Sequence, residues 1–564
     1  MFDILIRNGR VIDGSGNPWF KADVGIKNGK IDAVGNLAGE AADRVLDASG
    51  LVVTPGFIDP HSHTDWSIMK NNEAISSLQQ GVTTEYVGNC GGSRFFPIIN
   101  KNKRLALMAT ADLFVTDLDK VSLDWSDFTG YKKKLDEIGI GVNLACFVGH
   151  NTVRRGVMGE EDLGGERPVP TDDELEEMKR LVAEAMEQGC WGLTTGLVYK
   201  PGRNSKTEEV IELCRVAAGY GGSYMSHIRG SRSLEGLKEF IEIAEKTPIK
   251  SILSHNSARV WAKQKQLVGP TPDEMLLLYD AARARGVELY MDVLPWGGYS
   301  SSSMVSILLE TKDHFDENGK RLTFEQFMDM LRDPEKRKEI LDKARERHEK
   351  GRKIREETEK TRYEIGDMYI VNRSINFPEY VERSMADIAK MRDSDVITAA
   401  ADILLEDEGN TFWGSWRSEG DIKQLLKHPT AMVATDGNAV AMDEPMIHLG
   451  AAPAVRLYAS FPKVLGVYVR DDHLFPLEEA IRKRTSLPAQ AIGLEDRGSI
   501  RPGMWADIAV FDPDRIAHTA TYFEPRQYCV GIEYVLVNGV LAMDQGKMTH
   551  ALAGKTLIHE PQKK

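Results

Sequence analysis

Several features that would point to other classes of protein are missing from this sequence. No stretch approaches the roughly 18 uninterrupted apolar residues that a membrane-spanning helix requires, so no membrane partner is expected. Basic charge is in the minority, because 71 lysines and arginines stand against 85 acidic residues and leave a formal net charge of -14. A nucleic-acid partner calls for clustered Lys and Arg, and is therefore not expected either.

Cysteine is also scarce. The five cysteines are odd in number, widely scattered and without CxxC spacing, so a disulfide framework is not expected. The first residues alternate like a strand and lack the features of a secretory signal, so we expect a cytoplasmic protein. At 564 residues the chain predicts two to four domains, or a large barrel with additions. The sequence does not indicate an oligomeric state.

The most informative stretch is residues 56–65, where a turn and an apolar run lead into two histidines at positions i and i+2. Alternate residues of an extended strand point to one side, so His61 and His63 can present both imidazoles to one point. Two converging neutral imidazoles most often hold a metal ion. A bare HxH pair is also compatible with two exposed loop histidines, and the rest of the chain has to decide.

Both ends of the chain carry hairpin signals. An Asn-Gly pair separates strand-like runs at 28–29 and again at 538–539, and this pair favours the type I′ turn of a hairpin. We therefore predict a small β-sandwich domain built from residues 1–50 plus 500–564. Residues 51–499 would form a second domain inserted between them.

The inserted segment has a periodicity of its own, with helical patterns between most of its strand-like runs. Capping-box signals begin at Thr171 and Thr271, the second with proline at the first helical position. No GxGxxG follows any of the runs, which favours a (β/α)8 TIM-like barrel over an open doubly wound sheet. The eight runs are residues 51–58, 83–88, 141–149, 189–196, 221–227, 249–255, 287–293 and 430–436.

A long gap separates the last two runs. It exceeds an ordinary connection, so residues 297–429 are expected to form an inserted, mainly helical subdomain. Chemistry in such a barrel lies at the carboxyl ends of the strands, and the insertion leaves from that side. It is therefore a plausible lid.

Side chains able to bind a metal follow five of the eight runs. Each alone has an ordinary explanation, because a buried cysteine is a small hydrophobe and a lone strand-end histidine is usually structural. Their placement at one edge is difficult to ascribe to chance. A mixture of thiolate, imidazole and carboxylate suits zinc in tetrahedral geometry. The six candidate ligands are His61, His63, Cys90, His227, His255 and Asp436.

A zinc ion at this edge predicts a hydrolytic reaction. Bound zinc lowers the pKa of its water toward ~7 and polarises a substrate carbonyl. Asp436 beside that water can take its proton and return it to a leaving nitrogen. Together these steps are the hydrolysis of an amide-like bond.

The motifs around the candidate ligands resemble those of the N-acyl-D-amino-acid deacylases of the amidohydrolase superfamily. The resemblance extends over nearly the whole chain. Gly-Asn-Cys-Gly is the most specific of them, since other amidohydrolases usually have a carbamylated lysine where this family has cysteine. The motifs lie at residues 56–63, 80–84, 88–91, 226–229, 254–255 and 435–437.

The resemblance implies a zinc-dependent hydrolase that cleaves the amide bond of N-acyl-D-amino acids. It implies one tightly bound zinc ion and a second, weaker site. Cys90, His227 and His255 would hold the tight zinc. His61 and His63 would form the weaker site, and the strand-eight aspartate would be the catalytic acid/base.

The sequence departs from the family pattern around the substrate. Members commonly have a lysine that helps to bind the substrate α-carboxylate where this chain has Ser257, and tend to have Tyr-Pro-Tyr where it has Leu294-Pro295-Trp296. Tyr199 and Arg456 match substrate-binding positions, so Arg456 is predicted to carry most of the carboxylate binding. His150 is predicted either to hydrogen-bond the metal ligands or to be a core histidine.

Three functions stay open from the sequence. The first is deacylation of N-acyl-D-amino acids. The second is the same metal chemistry on another amide, such as a D-containing dipeptide, a cyclic amide or an uncharged N-acyl amine, and the changes at Ser257 and at Leu294 to Trp296 favour it. The third is a non-catalytic scaffold, and the retention of all six candidate ligands counts against it.

Overall fold

The computed structural model describes residues 1–93, 125–158, 167, 169–230, 233–261, 267–298, 302–309, 322–359, 365–367, 369–414, 416–443 and 454–561. Three parts can be distinguished within them. A sheet combines the two ends of the chain, parallel strands form a barrel, and a mainly helical insertion precedes the last barrel strand.

The sheet formed by the chain ends has nine strands. Val52–Pro55 pairs with Phe2–Val11 on one side and with Ile508–Phe511 on the other, so the two faces of the predicted sandwich are one continuous sheet. The two Asn-Gly turns, at residues 28–29 and 538–539, lie against each other. A Cβ atom added to Gly539 would be only 2.6 Å from the Cα of Gly29. The strands are Phe2–Val11, Phe20–Lys27, Lys30–Gly35, Ala42–Asp47, Val52–Pro55, Ile508–Phe511, Ile532–Val537, Val540–Asp544 and Lys547–Met548.

The central strands form the (β/α)8 barrel that the sequence predicts. Neighbouring strands pair in parallel. The first and eighth strands join just beyond their ends, where Asp436 N donates to the His61 carbonyl at 2.9 Å. The third strand has two pieces. The barrel strands are Phe57–Asp59, Val82–Val87, Asn143–Cys146 with Val148–Gly149, Gly192–Gly196, Ser223–His227, Lys250–Leu253, Leu289–Val293 and Ala431–Val433.

Two of the helices packed on the barrel begin where the capping signals predict. Thr171 and Thr271 each close a capping box, with the glutamate three residues later. The helices outside the insertion are Thr64–Ser67, Ile75–Leu78, Phe128–Ile138, His150–Met158, Asp172–Glu187, Thr207–Gly219, Leu234–Lys246, Pro272–Ala284, Arg456–Lys463, Leu477–Arg482 and Ser486–Ile492, with a 3₁₀ turn at Gly202–Asn204 and a π-helix at Val464–Asp471. In the part of the chain that the structure describes, no helix has the length and apolar character needed to cross a membrane.

The insertion has its own hydrophobic cluster and is mainly helical. Its helices are Val305–Leu308, Phe324–Arg332, Pro334–Glu359, Met385–Met391, Val396–Glu406 and Glu419–Lys427, with a 3₁₀ turn at Pro378–Tyr380. It also contains an antiparallel sheet of Ser302–Ser303, Phe412–Gly414 and Ile370–Arg373. These strands are two to four residues long, too short to produce a sequence period, and the sequence analysis missed them.

Two further strand pairs add to the barrel. Val260–Trp261 and Leu267–Val268 form a small hairpin after the sixth strand. Thr556–Leu557 pairs in parallel with Asn143–Cys146, and the Trp191 indole N–H donates to the Leu557 carbonyl at 2.9 Å. This end of the chain, which the sequence analysis grouped with the sheet domain, therefore returns to the barrel.

Candidate metal centre

The two histidines of the HxH pair follow the first barrel strand, and both lie at the barrel mouth. The His61 N–H donates to Asp59 Oδ1 at 3.1 Å, and the His63 N–H donates to the Gly437 carbonyl at 2.6 Å. The second bond belongs to the junction with the eighth strand. The backbone that carries the pair is thus fixed on both sides of His61.

Cys90 stands in a tight loop after the second strand. Its backbone is left-handed, with a φ of 52°. The preceding Gly88 has a φ of +87°, and a Cβ there would lie 2.0 Å from the Phe147 carbonyl oxygen, so this turn requires glycine. The Asn89 side chain donates to the Ser62 carbonyl at 3.1 Å, which ties the loop to the HxH stretch.

The Cys90 sulfur is the common neighbour of three imidazoles. It lies 3.5 Å from a ring nitrogen of each of His61, His227 and His255. Parallel pairing aligns Gly196 with His227 and Ser226 with Leu253, so the carboxyl ends of the fifth and sixth strands deliver their histidines to the same point. The sequence analysis expected Cys90, His227 and His255 to converge, and the structure brings them together.

Two groups of donor atoms are compact enough to hold a metal ion. One is formed by His61, Cys90 and His255, and the other by His61, His63 and Asp436, with the donor atoms of each group within 4.8 Å of one another. His61 belongs to both groups. The two sites that the resemblance implies therefore share a candidate ligand in this arrangement.

The protonation preferences of two donors suit a metal. Burial would raise the pKa of the Cys90 thiol, but the imidazoles of His61 and His255 bring it well below its usual range. Burial, helped by His255, lowers the pKa of His227 to about 4. Thiolate and neutral imidazole are the forms that bind zinc, so these two donors fit this ion.

Asp436 lies between the histidines and an arginine. One of its carboxylate oxygens is 3.0 Å from His63 Nε2, and the other is 3.3 Å from Arg456 Nη1. Burial would raise the pKa of Asp436, but Arg456 and His63 hold it well below its usual range. Arg456 also donates to the Thr435 carbonyl at 2.8 Å. Its guanidinium is therefore engaged by the eighth-strand segment.

Asp292, at the end of the seventh strand, is a site residue that the sequence analysis missed. It is buried, accepts the backbone N–H of His255 at 2.7 Å, and lies 3.3 Å from His61 Nδ1. A hydrogen bond from Nδ1 leaves the Nε2 lone pair of His61 facing Cys90. The available signal was an acidic residue within the apolar run Leu289–Val293, since buried carboxylates are rare.

A cleft opens beside these side chains. Tyr199 and Ser257, both predicted to bind substrate, line it together with Asp436. Tyr199 is 48% exposed, and its ring packs edge-on against His227 with a centroid distance of 5.0 Å. The insertion contributes Arg417 to the cleft wall, which no sequence signal indicated.

His150 begins a helix that supports the Cys90 loop. Its Nε2 lies 2.7 Å from Glu209, which also accepts a hydrogen bond from Arg154 at 2.8 Å. The same helix contacts the loop through Thr152, whose backbone N–H donates to the Gly91 carbonyl. The described partner of His150 is thus Glu209, and its predicted bond to the metal ligands stays a prediction.

Fold and site together define a metal-binding hydrolase barrel of the amidohydrolase type. The chain belongs to the amidohydrolase family, whose model matches residues 44–542. It is 32% identical to the N-acyl-D-glutamate deacylase of Alcaligenes xylosoxydans xylosoxydans, over 97% of this chain and 95% of that protein.

Solved structures agree with this assignment. The N-acyl-D-glutamate deacylase from Bordetella bronchiseptica, complexed with zinc and a phosphonate mimic of the tetrahedral intermediate, matches with a TM-score of 0.71 and 30% identity over 99% of both chains. A D-aminoacylase with a binuclear metal centre matches with a TM-score of 0.72 and 28% identity over 99% of this chain and 100% of that one. The resemblance to the N-acyl-D-amino-acid deacylases and the predicted fold class are confirmed.

Proposed function

We propose that this protein is a zinc-dependent amidohydrolase that cleaves the amide bond of N-acyl-D-amino acids. The observation that carries the proposal is the Cys90 sulfur at 3.5 Å from three imidazoles, with Asp436 beside them. Relatives of the same fold at about 30% identity are deacylases of N-acyl-D-amino acids, and one of them is solved with zinc.

The donor geometry suggests how the metal would be held. Cys90 and His255, which with His61 form one compact group, would hold the tight ion together with His227, whose ring lies 3.5 Å from the Cys90 sulfur. His63 with Asp436 would hold a second ion. His61 is within reach of both groups. When bound, zinc would supply a Lewis acid that polarises the substrate carbonyl and lowers the pKa of a water molecule.

Asp436 would move the proton. Its pKa lies well below the usual range, so it is a carboxylate at neutral pH and can accept a proton from the attacking water. The same carboxyl can then donate that proton to the leaving nitrogen. Arg456 and His63 would hold the carboxylate in place, because they contact its two oxygens.

The cleft supports a small-molecule amide as the substrate. Tyr199 and Ser257 offer hydroxyl groups beside the candidate ligands His227 and His255. One observation favours a different amide as the substrate: Ser257 is neutral where the family has a lysine. Such an amide could be a D-containing dipeptide, a cyclic amide or an uncharged N-acyl amine.

Substrate profiling of the zinc-loaded protein tests the proposal. N-acetyl-D-amino acids should be hydrolysed in preference to their L enantiomers, to their carboxamides and to cyclic amides. Asp436→Asn should lower kcat by ~10² to 10⁴, the usual loss for a general acid/base, and should retain the tightly bound zinc by elemental analysis. A wild type that hydrolyses only cyclic amides or carboxamides would contradict the D-amino-acid assignment, and an active Asp436→Asn would contradict the proton-transfer role.

A further inference from the structure

The substrate of the proposed function carries an α-carboxylate, and the arginine expected to bind it is engaged elsewhere. Arg456 Nη1 lies 3.3 Å from the catalytic carboxylate of Asp436 and donates to the Thr435 carbonyl at 2.8 Å. Its positive charge therefore mainly stabilises the carboxylate of Asp436, the proposed acid/base. Ser257, at the position of the family lysine, contributes no charge to the cleft.

Arg417 supplies a positive charge in the cleft wall. It is the one lysine or arginine among the described residues that line the cleft, and it lies there with Ser257 and Asp436. The residue is 2% exposed. A guanidinium stays protonated even when buried, and its planar fork matches a carboxylate in a bidentate arrangement.

The backbone of Arg417 is fixed by the loops that follow the sixth and seventh barrel strands. Its N–H donates to the Gly297 carbonyl at 2.8 Å, and it forms an antiparallel bridge with Val260. The next residue, Ser418, caps the helix Glu419–Lys427. Arg417 is thus held by segments that leave the barrel at the metal-binding edge.

A salt bridge reinforces this position. Arg259, in the loop after the sixth strand, makes two hydrogen bonds to Asp421 on the same helix, at 2.6 and 2.9 Å. The helix that begins beside Arg417 is therefore clamped to the loop that follows Ser257. A fixed guanidinium binds an anion with less loss of conformational freedom than a mobile one.

We infer that Arg417 binds the α-carboxylate of the N-acyl-D-amino acid and so takes over the role of the cation that is missing at Ser257. This inference rests on the proposed function and extends it to a specificity-determining residue contributed by the insertion. It gives the neutral Ser257 position a chemical explanation that keeps a free acid as the substrate.

Steady-state kinetics of variants on an N-acetyl-D-amino acid and on its carboxamide test the inference. Arg417→Ala should raise KM for the acid about 10- to 100-fold, as expected for a lost charged hydrogen bond, and should leave kcat and the kinetics on the carboxamide within about two-fold. Arg417→Lys keeps the positive charge but loses the planar guanidinium. Its KM for the acid should therefore lie between those of the wild type and Arg417→Ala. Arg373→Ala is the matched control, because Arg373 is a buried arginine of the insertion that does not line the cleft.

The outcomes separate this inference from the proposed function. An Arg417→Ala variant with unchanged KM for the acid, or with equal losses on acid and carboxamide, overturns the role of Arg417 and leaves the deacylase assignment in place. An Arg373→Ala variant with the same KM rise would also overturn it, since the effect would then be structural. A wild type that shows no preference for the free acid overturns the proposed function and this inference together.

Discussion

At the scale of single residues, His61 is the side chain on which most of the site depends. Its Nε2 faces the Cys90 sulfur at 3.5 Å and lies 3.7 Å from Asp436, while its Nδ1 meets Asp292. The two groups of donor atoms are consequently coupled through one imidazole. Removing His61 would disturb both groups, so it cannot be used to tell them apart.

Cys90 and His63 can be used for that purpose, because each belongs to a single group. Cys90→Ala should remove most of the bound zinc, since it deletes the one thiolate of the site. His63→Ala should remove only the second, weaker equivalent and retain close to one zinc per chain. Elemental analysis after dialysis against metal-free buffer measures both values. Equal loss of zinc from the two variants would contradict the asymmetric pair of sites.

At the scale of elements, the turns that follow the barrel strands direct the donor atoms. Cys90, His255 and Asp436 come two to three residues after the second, sixth and eighth strands, and all three have a left-handed backbone, with φ of 52°, 33° and 47°. Such conformations cost of order 1 kcal/mol or more each in non-glycine residues. Their recurrence at one edge indicates that the strand-end turns are built to point side chains at the barrel axis.

The loop that carries Cys90 provides a test at this scale. Gly91 has a φ of +74°, and an added Cβ would lie 2.6 Å from both Asn151 Oδ1 and Gly196 N. Gly91→Ala should therefore displace the loop and lower the zinc content. Gly50→Ala is the matched control, since Gly50 has a φ of +80° with no atom within 4 Å of the added Cβ.

Both substitutions impose the left-handed backbone on alanine, and only the first adds a clash. Gly50→Ala should keep the wild-type zinc content, with a stability loss of ~1 to 2 kcal/mol from the backbone alone. Zinc per chain and the thermal unfolding temperature measure the difference. If Gly91→Ala binds as much zinc as Gly50→Ala, the close packing of the loop is not what positions Cys90.

The sequence could predict the elements that repeat and the motifs that are local. His61 and His63 lie on one short stretch, and capping boxes at Thr171 and Thr271 need only four residues each. Asp292 and Arg417 could not be found in this way. Asp292 acts through partners 231 and 37 residues away along the chain, and Arg417 reaches the cleft from an insertion without a regular period.

Long-range pairing also sets the contacts that Arg456 makes. The sequence places this arginine at a substrate-binding position, but the charge it meets is set by the eighth strand, where the Asp436 backbone is turned toward it. Tertiary contacts of this kind have no signature in the spacing of residues.

At the scale of the whole molecule, the candidate ligands come from the first, second, fifth, sixth and eighth strands of the barrel. A metal bound by them would join segments that are far apart in the chain and would bind the folded state alone. Metal at about 1,000 times its Kd stabilises a folded protein by ~4 kcal/mol. Loss of the metal should therefore lower the thermal stability of the barrel.

A chelator experiment tests this coupling. Zinc-loaded wild type treated with excess EDTA should unfold several degrees lower than the untreated protein at the same scan rate, and re-addition of zinc should restore the transition. Cys90→Ala is the control, because a protein that has already lost the tight metal should hardly respond to EDTA. The sheet of the chain ends contains none of the six candidate ligands, so the shift should appear in the transition that exposes the barrel core. If EDTA removes the zinc without changing any unfolding temperature, the metal contributes to the reaction and not to the stability of the fold. The backbone contacts alone would then be sufficient to form the barrel mouth.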